Sequence, residues 1–331
     1  MINNIELLSI GDASLDVFIT PTESDTLCQL NDKESFVCFS YGDKIPVKTL
    51  EISIGGNAAN NAVGARRLGV KAAVVLSLGN DEIGNQIVDK LKSEKVNTTY
   101  VVQQPSTSSN YSNIISYAGE RTIFTYKAPR SYAFPVQLPG TPWLYLTSMG
   151  DSFRPFYNRF VEWLKDNPET KLVFNPGSRQ LRAGLDSIRE VLSKSYIIYV
   201  NRKEAETLTG MESSQGKEKE LLSALSGLGP KIPIVTDGGS GSFVFDGQRY
   251  LMAGILPVDP YERTGSGDSF GSGCLAALIR GKPLEEALIW GTVNAASVIG
   301  YTGSQRGLLR ENELEVWLER ARSSEVKVKE F

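Results

Sequence analysis

The sequence predicts an α/β protein: a doubly wound, mostly parallel sheet with helices on both faces, three layers in all, carrying a small β-sheet lid. From residue 143 onward, short apolar runs alternate with helical stretches, the pattern of a parallel sheet. In the first half, two separate β-rich inserts, about 17–54 and 100–127, interrupt that alternation. Such inserts suggest a cover over the C-terminal ends of the parallel strands, where α/β folds bind ligands. The 331 residues fit a single domain, 1–331, with both inserts as its lid.

The elements follow in chain order. Ile5–Ile10 is an apolar run stopped by Gly11, read as a buried strand. Ser35–Ser40 and Leu50–Ile54 are short β-prone pieces broken by Gly42-Asp43 and Pro46. Asn57–Leu68 is Ala-rich and helical, with Gly69 as its stop. Ala73–Leu78 is a second buried strand, and Asp81 caps a helix whose Ile83, Ile87, Val88 and Leu91 share a face. Asn110–Ser116 and Arg121–Tyr126 form a hairpin around Ala118-Gly119-Glu120. Trp143–Thr147, Lys171–Phe174, Tyr196–Val200 and Ile232–Thr236 are strands. Helices fall between them, at Phe153–Lys165, Gly184–Ser193 and Lys217–Leu225. Three more helices close the chain, Asp268–Arg280, Leu284–Ile299 and Glu311–Ala321, and the charged Ser323–Phe331 is expected to fray.

Composition removes several classes of function. Apolar residues at 41% and charged residues at 22% describe an ordinary soluble globular protein. A net charge of −3, with no long basic run, gives no footprint for nucleic acid. No apolar run reaches a membrane span and the N-terminus lacks a signal-peptide pattern, so a cytoplasmic protein is expected. Cys28, Cys38 and Cys274 are distant and odd in number, which argues against a disulfide framework or a thiolate zinc site. There is no histidine, which excludes His-dependent triads and His-ligated metals. A general base must therefore be Asp, Glu, Lys, Tyr or Cys.

The most informative stretch is Arg263-Thr-Gly-Ser-Gly-Asp-Ser-Phe-Gly271, small residues running into a helix. Amides at a helix start have no intrahelical acceptor and the helix dipole favours negative charge there. Gly265, Ser266 and Gly267 thus read as an anion hole for a transferring phosphoryl group, with Asp268 at its mouth as the base that takes a hydroxyl proton. The dipole is expected to keep Asp268 ionised. On its own, a Gly-Ser-Gly-Asp before a helix is more often only a cap. The glycine spacing is not that of dinucleotide binding, and no Walker A sequence occurs.

The company of this stretch changes the reading. Gly55-Gly56-Asn57 with Asn60 and Leu68-Gly69, together with Gly265-x-Gly267-Asp268, resembles the two signatures of the ribokinase-like sugar and nucleoside kinases, the PfkB family. Asp16, Asn201-Arg-Lys-Glu204 and Thr236-Asp-Gly-Gly-Ser-Gly241 agree in order and spacing, so the likeness covers about residues 5–307. The resemblance implies a ribokinase-like fold and Mg²⁺- and ATP-dependent phosphorylation of a hydroxyl on a sugar. It implies that Asp16 grips substrate hydroxyls and that Gly55, Gly56, Asn57 and Asn60 complete the substrate pocket. Asn201 and Glu204 would hold the nucleotide phosphates, Glu204 meeting Mg²⁺ through water. Thr236, Gly238, Gly241 and Asn294 would line the nucleotide site. As an isolated motif, N-x-x-E also has the spacing of a capping box.

Two departures bear on specificity. Glu262 stands where the family often has the Asp that helps hold a monovalent cation. Leu146-Thr-Ser-Met-Gly150 lacks the Glu of ribose-specific members. A nucleoside substrate stays open, with Tyr41, Tyr111, Phe124 and Tyr126 as a stacking surface, as does a non-catalytic kinase-like binder. Free lid edges and the resemblance point to a homodimer through the lid.

Overall fold

The computed structural model describes residues 5–22, 27–31, 34–117 and 120–331. In chain order the strands of the large sheet are β1 (Leu7–Gly11), β6 (Ala72–Gly79), β7 (Asn97–Gln104), β10 (Trp143–Leu146), β11 (Lys171–Phe174), β12 (Ile197–Asn201), β13 (Ile232–Thr236), β14 (Ser242–Phe245), β15 (Tyr250–Ala253) and β16 (Val328–Glu330). Those of the smaller sheet are β2 (Ser14–Pro21), β5 (Val47–Gly55), β8 (Asn110–Tyr117) and β9 (Glu120–Tyr126). A separate pair is β3 (Leu27–Asn31) and β4 (Glu34–Val37). The helices are α1 (Asn57–Arg67), α2 (Glu82–Ser93), α3 (Arg154–Asp166), α4 (Ser178–Arg182), α5 (Arg189–Lys194), α6 (Arg202–Thr209), α7 (Glu218–Gly227), α8 (Ser266–Ile279), α9 (Leu284–Val298) and α10 (Glu311–Ser323).

The large sheet runs β16-β15-β14-β13-β12-β11-β10-β1-β6-β7. The strands from β13 to β7 are parallel, and β14 to β16 extend the sheet antiparallel. Its two faces bury separate cores, as alternation along each strand demands. Leu7, Val74, Tyr145 and Tyr199 face α1, α8 and α9, while Leu8, Ile10, Leu144 and Ile198 face α3, α5 and α7. This is the expected three-layer α/β architecture, with a second, smaller sheet.

Helix α1 is short-chained for a reason. Half of its buried residues are Ala, and a Cβ at Gly64 would lie 2.3 Å from Ser272 Oγ of α8. Small residues let the two helices approach closely, and that approach brings their N-terminal ends to one place.

Several elements differ from expectation. The 323–331 tail is not frayed: Val328–Glu330 pairs with β15, and the Phe331 ring lies 5.7 Å from Phe243. Its charges hide a period of two, Val326 and Val328 packing on one core and Phe331 on the other. The single helix expected over Gly184–Ser193 is interrupted, because Ile188 is buried with non-helical backbone, φ −126° and ψ 0°. Strand β7, the hairpin β14–β15 and helices α4 and α6 were not anticipated, and residues 100–104, expected in the lid insert, pair with β6 in the large sheet. Helix α8 begins two residues earlier than expected, at Ser266. The β8–β9 hairpin is present, though Ala118 and Gly119 of its turn lie outside the described residues.

Candidate active site

The chain leaves β1 toward β6 and β7, then returns on the other side through β10 to β13. The winding reverses between β1 and β10, and doubly wound sheets bind ligands in the crevice beyond the strand ends at such a point. A cavity of about 260 Å³ opens there. The segments after β1 and β10 supply Asp12 and Ser148 to it, and the smaller sheet covers it with Ser14, Asp16, Ser112 and Thr125. Gly56, Asn57 and Asn60 enter from the start of α1, and Thr264, Gly265 and Asp268 from the start of α8.

The α8 end has the features expected of an anion site. Its N-cap is Gly265, held at φ +81°, and a Cβ there would lie 2.4 Å from that of Ser304. Only glycine meets both demands without strain. No side chain caps the helix, and the Gly267 and Asp268 amides have no protein acceptor among the described residues. Asp268 is therefore not a cap. Its Oδ2 accepts from Asn60 Nδ2 at 2.8 Å. Asn60 is fixed in turn, its Oδ1 accepting from Ser304 Oγ and Gln305 Nε2, both at 3.0 Å. Burial pushes the Asp268 carboxyl up to about 6; the Asn60 bond opposes that rise and the nearby Asp16 charge adds to it. The group is still mostly ionised at neutral pH, as expected, but it is a stronger base than an ordinary carboxylate.

Across the cavity, Asp16 is buried and accepts from Ser14 Oγ at 2.9 Å. Burial raises its pKa against hydrogen bonds from Ser14 and Ser112. Gly55 makes room for it, since a Cβ at that position would lie 1.9 Å from Asp16 Oδ2. Gly56 is the α1 N-cap, at φ +92°, with Ala13 Cα 2.5 Å from where a Cβ would stand. Asn57 does not cap the helix; its Nδ2 reaches Asn175 Oδ1 at 3.4 Å.

A charged wall that motif reasoning did not find completes the pocket. Lys127 Nζ lies 3.3 Å from Asp12 Oδ2 and 3.2 Å from Ser148 Oγ. The other Asp12 oxygen accepts from Tyr132 Oη at 2.8 Å, and Tyr132 Oη accepts from the Gly150 amide at 2.6 Å. Asp12 and Lys127 are 115 residues apart, so no local pattern joins them. Position 148 lies on the strand end where the family's Glu was missed, and here Lys127 and Asp12 form the wall beside it.

The aromatic stacking surface is corrected. None of Tyr41, Tyr111, Phe124 and Tyr126 lines the cavity. The register pairs Ser112 with Thr125 on the cavity face of the sheet, which puts Tyr111, Phe124 and Tyr126 on the other.

The expected nucleotide residues gather beside α8 rather than in the cavity. Asn201 ends β12, next to Thr236 at the end of β13. Asn201 and Glu204 form a full capping box on α6, each side chain accepting from the other's amide at 2.9 Å. Burial raises the Glu204 pKa, and the Asp268 charge adds to it. Gly238 begins a short 3-10 turn after β13, and a Cβ at Gly241 would lie 2.1 Å from Ala253 O. Tyr199 Oη, from the same β12, donates to Gly267 O at 2.8 Å and ties this edge to α8. Among the described residues no group of three acidic, Cys or His side chains could cage a metal. The lone Glu204 carboxylate suits an ion that arrives on phosphates and keeps its water.

Asn294 is a second correction. It is fully buried, its Nδ2 donating to Ser269 O at 2.7 Å and its Oδ1 accepting from the Leu309 amide at 2.9 Å. It pins α9 to α8 and to the following loop, and offers no atom to a nucleotide.

A family model described as pfkB family carbohydrate kinase matches residues 24–311. ATP-dependent 6-phosphofructokinase of Thermoanaerobacterium thermosaccharolyticum is 26% identical over 276 residues, 80% of this chain and 84% of that protein. Ribokinase of Bacillus subtilis is 25% identical over 311 residues, 92% of this chain and 97% of its own. The structure of Arabidopsis thaliana ribokinase complexed with ribose and ATP shares the fold, with TM-score 0.77 and 21% identity over 95% of this chain and 99% of that one. Among the described residues no helix is long and apolar enough to cross a membrane. With most of the sequence matched and the fold in agreement, the chain belongs to the pfkB family of carbohydrate kinases, ribokinase-like phosphotransferases acting on sugars or nucleosides.

Proposed function

We propose that this chain transfers the terminal phosphoryl group of ATP to a hydroxyl of a neutral sugar, with Asp268 as general base. The observation that carries the reading is one juxtaposition. The Asp268 carboxylate, oriented by Asn60 at 2.8 Å, shares a cavity with Asp16 and stands beside two amides free to receive an anion. The substrate lies over Asp16 and Asn57, and its reacting hydroxyl points to Asp268. Asp268 accepts that proton as the oxygen attacks. The amides of Gly267 and Asp268 take up charge on the phosphoryl oxygens. Outside its own stretch of helix, a Cβ at Gly267 would meet nothing nearer than Tyr199 Oη at 3.8 Å, room that an incoming phosphate can use. Positioning and electrostatics supply most of the acceleration.

The nucleotide lies along the ends of β12 and β13, with Glu204 as the residue that would hold Mg²⁺ through water. When bound there, the ion neutralises phosphate charge. The smaller sheet acts as the lid of this single domain, and its exposed outer residues Leu50, Ile52, Phe124 and Tyr126 are covered by a second copy of the chain.

Charge and shape favour a neutral sugar. Asp12, Asp16 and Asp268 put three carboxylates around the cavity, against the single ammonium of Lys127. A sugar that already bears phosphate or carboxylate meets net repulsion, and a nucleobase meets no aromatic side chain on which to stack. The test is a phosphoryl-transfer assay over neutral sugars, sugar phosphates, sugar acids and nucleosides, run with wild type and Asp268→Asn. Neutral sugars should be preferred, and Asp268→Asn should lower turnover by roughly 10²–10⁴ with little change in nucleotide binding. Normal turnover in that variant would remove Asp268 as base.

A further inference from the structure

The resemblance implies a monovalent cation beside the loop that leads into Gly265, with the acid at position 262 among its ligands. The residues here do not fit one. Glu262 is 7% exposed and both its oxygens are engaged. Oε1 accepts from the Thr264 amide at 2.7 Å and from the Thr264 hydroxyl, and Oε2 accepts from the Gly303 amide at 3.2 Å. Its charge partner is a guanidinium, Arg121 Nη1, 3.3 Å from Oε1. Arg121 comes from β9, on the smaller sheet, and no other acid pairs with it among the described residues.

We propose that Arg121 is the built-in cation of this site: it replaces a monovalent ion and couples the position of the smaller sheet to the anion-binding turn. A buried carboxylate needs a counter-charge, and a tethered guanidinium supplies it without a free ion. The coupling is short. Glu262 holds Thr264, which lines the cavity and precedes the Gly265 N-cap. A second link runs in parallel, because Glu51 of β5 accepts from Thr302 Oγ1 and from Arg306 Nη1, both at 3.0 Å. Both clamps join the smaller sheet to the loops around the start of α8. Moving that sheet away withdraws Arg121, exposes an uncompensated Glu262 and loosens the turn whose amides receive the phosphoryl group. Arg121 touches no reacting atom, so it is a positioning residue.

The inference rests on the kinase reading, so its test has one arm that needs no turnover. In the first arm, melting temperature is measured in potassium chloride and in tetramethylammonium chloride at equal ionic strength, without substrate. Wild type should melt alike in both, whereas Arg121→Ala should be stabilised by K⁺ alone. In the second arm, wild-type turnover should differ less than about twofold between the salts. Arg121→Ala should lose on the order of 10–10² in kcat in tetramethylammonium, the scale of a misplaced catalytic loop, and regain activity with K⁺ or added guanidinium. A K⁺ requirement in wild type, an unimpaired Arg121→Ala, or a loss that neither ion restores would each overturn the proposal. If wild type transfers no phosphate to any acceptor, the kinase reading fails, and the melting arm still decides on Arg121.

Discussion

At the scale of residues, the proposed chemistry turns on one carboxylate. Burial raises Asp268 to about 6, and the Asn60 bond works against the rise by favouring the ionised form. A base acts deprotonated, and the deprotonated fraction grows with pH. kcat/KM should therefore rise through about pH 6 and level off above it; a profile flat from about pH 5 to 8 would contradict the assignment. Replacing Asn60 with Ala should move that limb to higher pH. The sign for stability is opposite. A folded-state value above the ordinary 3.8 means the native protein holds the proton more tightly than the unfolded chain. The stability this supplies is complete below about 3.8 and lost as pH rises through about 6, so Asp268→Asn should melt above wild type at pH 7. Asp268 and Asn60 were legible because each sits in a short glycine-bearing motif. Asp12 and Lys127 were not, because their meeting depends on two strand ends 115 residues apart.

At the scale of elements, two helices carry the site and a third braces them. Helices α1 and α8 were readable from small-residue runs bounded by glycines, and α8 starts where a positive φ is required. Asn294 misled because a polar residue in an apolar helix can read as a ligand group. It is a strut. Asn294→Ala strands the buried Leu309 amide, which costs about 1–3 kcal/mol. Denaturant unfolding should show that loss while the KM for nucleotide stays unchanged. A raised nucleotide KM at normal stability would return Asn294 to the binding site. Strand β16 escaped notice because lysines and a glutamate interleave with Val328 and Phe331, and periodicity is easily lost over so few residues.

At the scale of the whole molecule, the alternation of strand and helix foretold the parallel sheet and its two helical layers. It did not foretell the antiparallel extension β14–β16, because hairpin strands carry the same apolar signature as parallel ones. The smaller sheet leaves Leu50 and Ile52 58% and 60% exposed on its outer face. If a second copy covers that face, Ile52→Lys should convert a dimer to a monomer in light scattering; a wild-type monomer would end the proposal. The Asn60–Asp268 hydrogen bond spans 208 positions of chain. Contacts that distant form late, after the loop-closure entropy has been met. On the proposed mechanism, a nascent or partly unravelled chain therefore lacks its reactive pair, and it cannot squander nucleotide before helices α1 and α8 have docked. Recovery of turnover during refolding should accordingly lag behind recovery of helical signal.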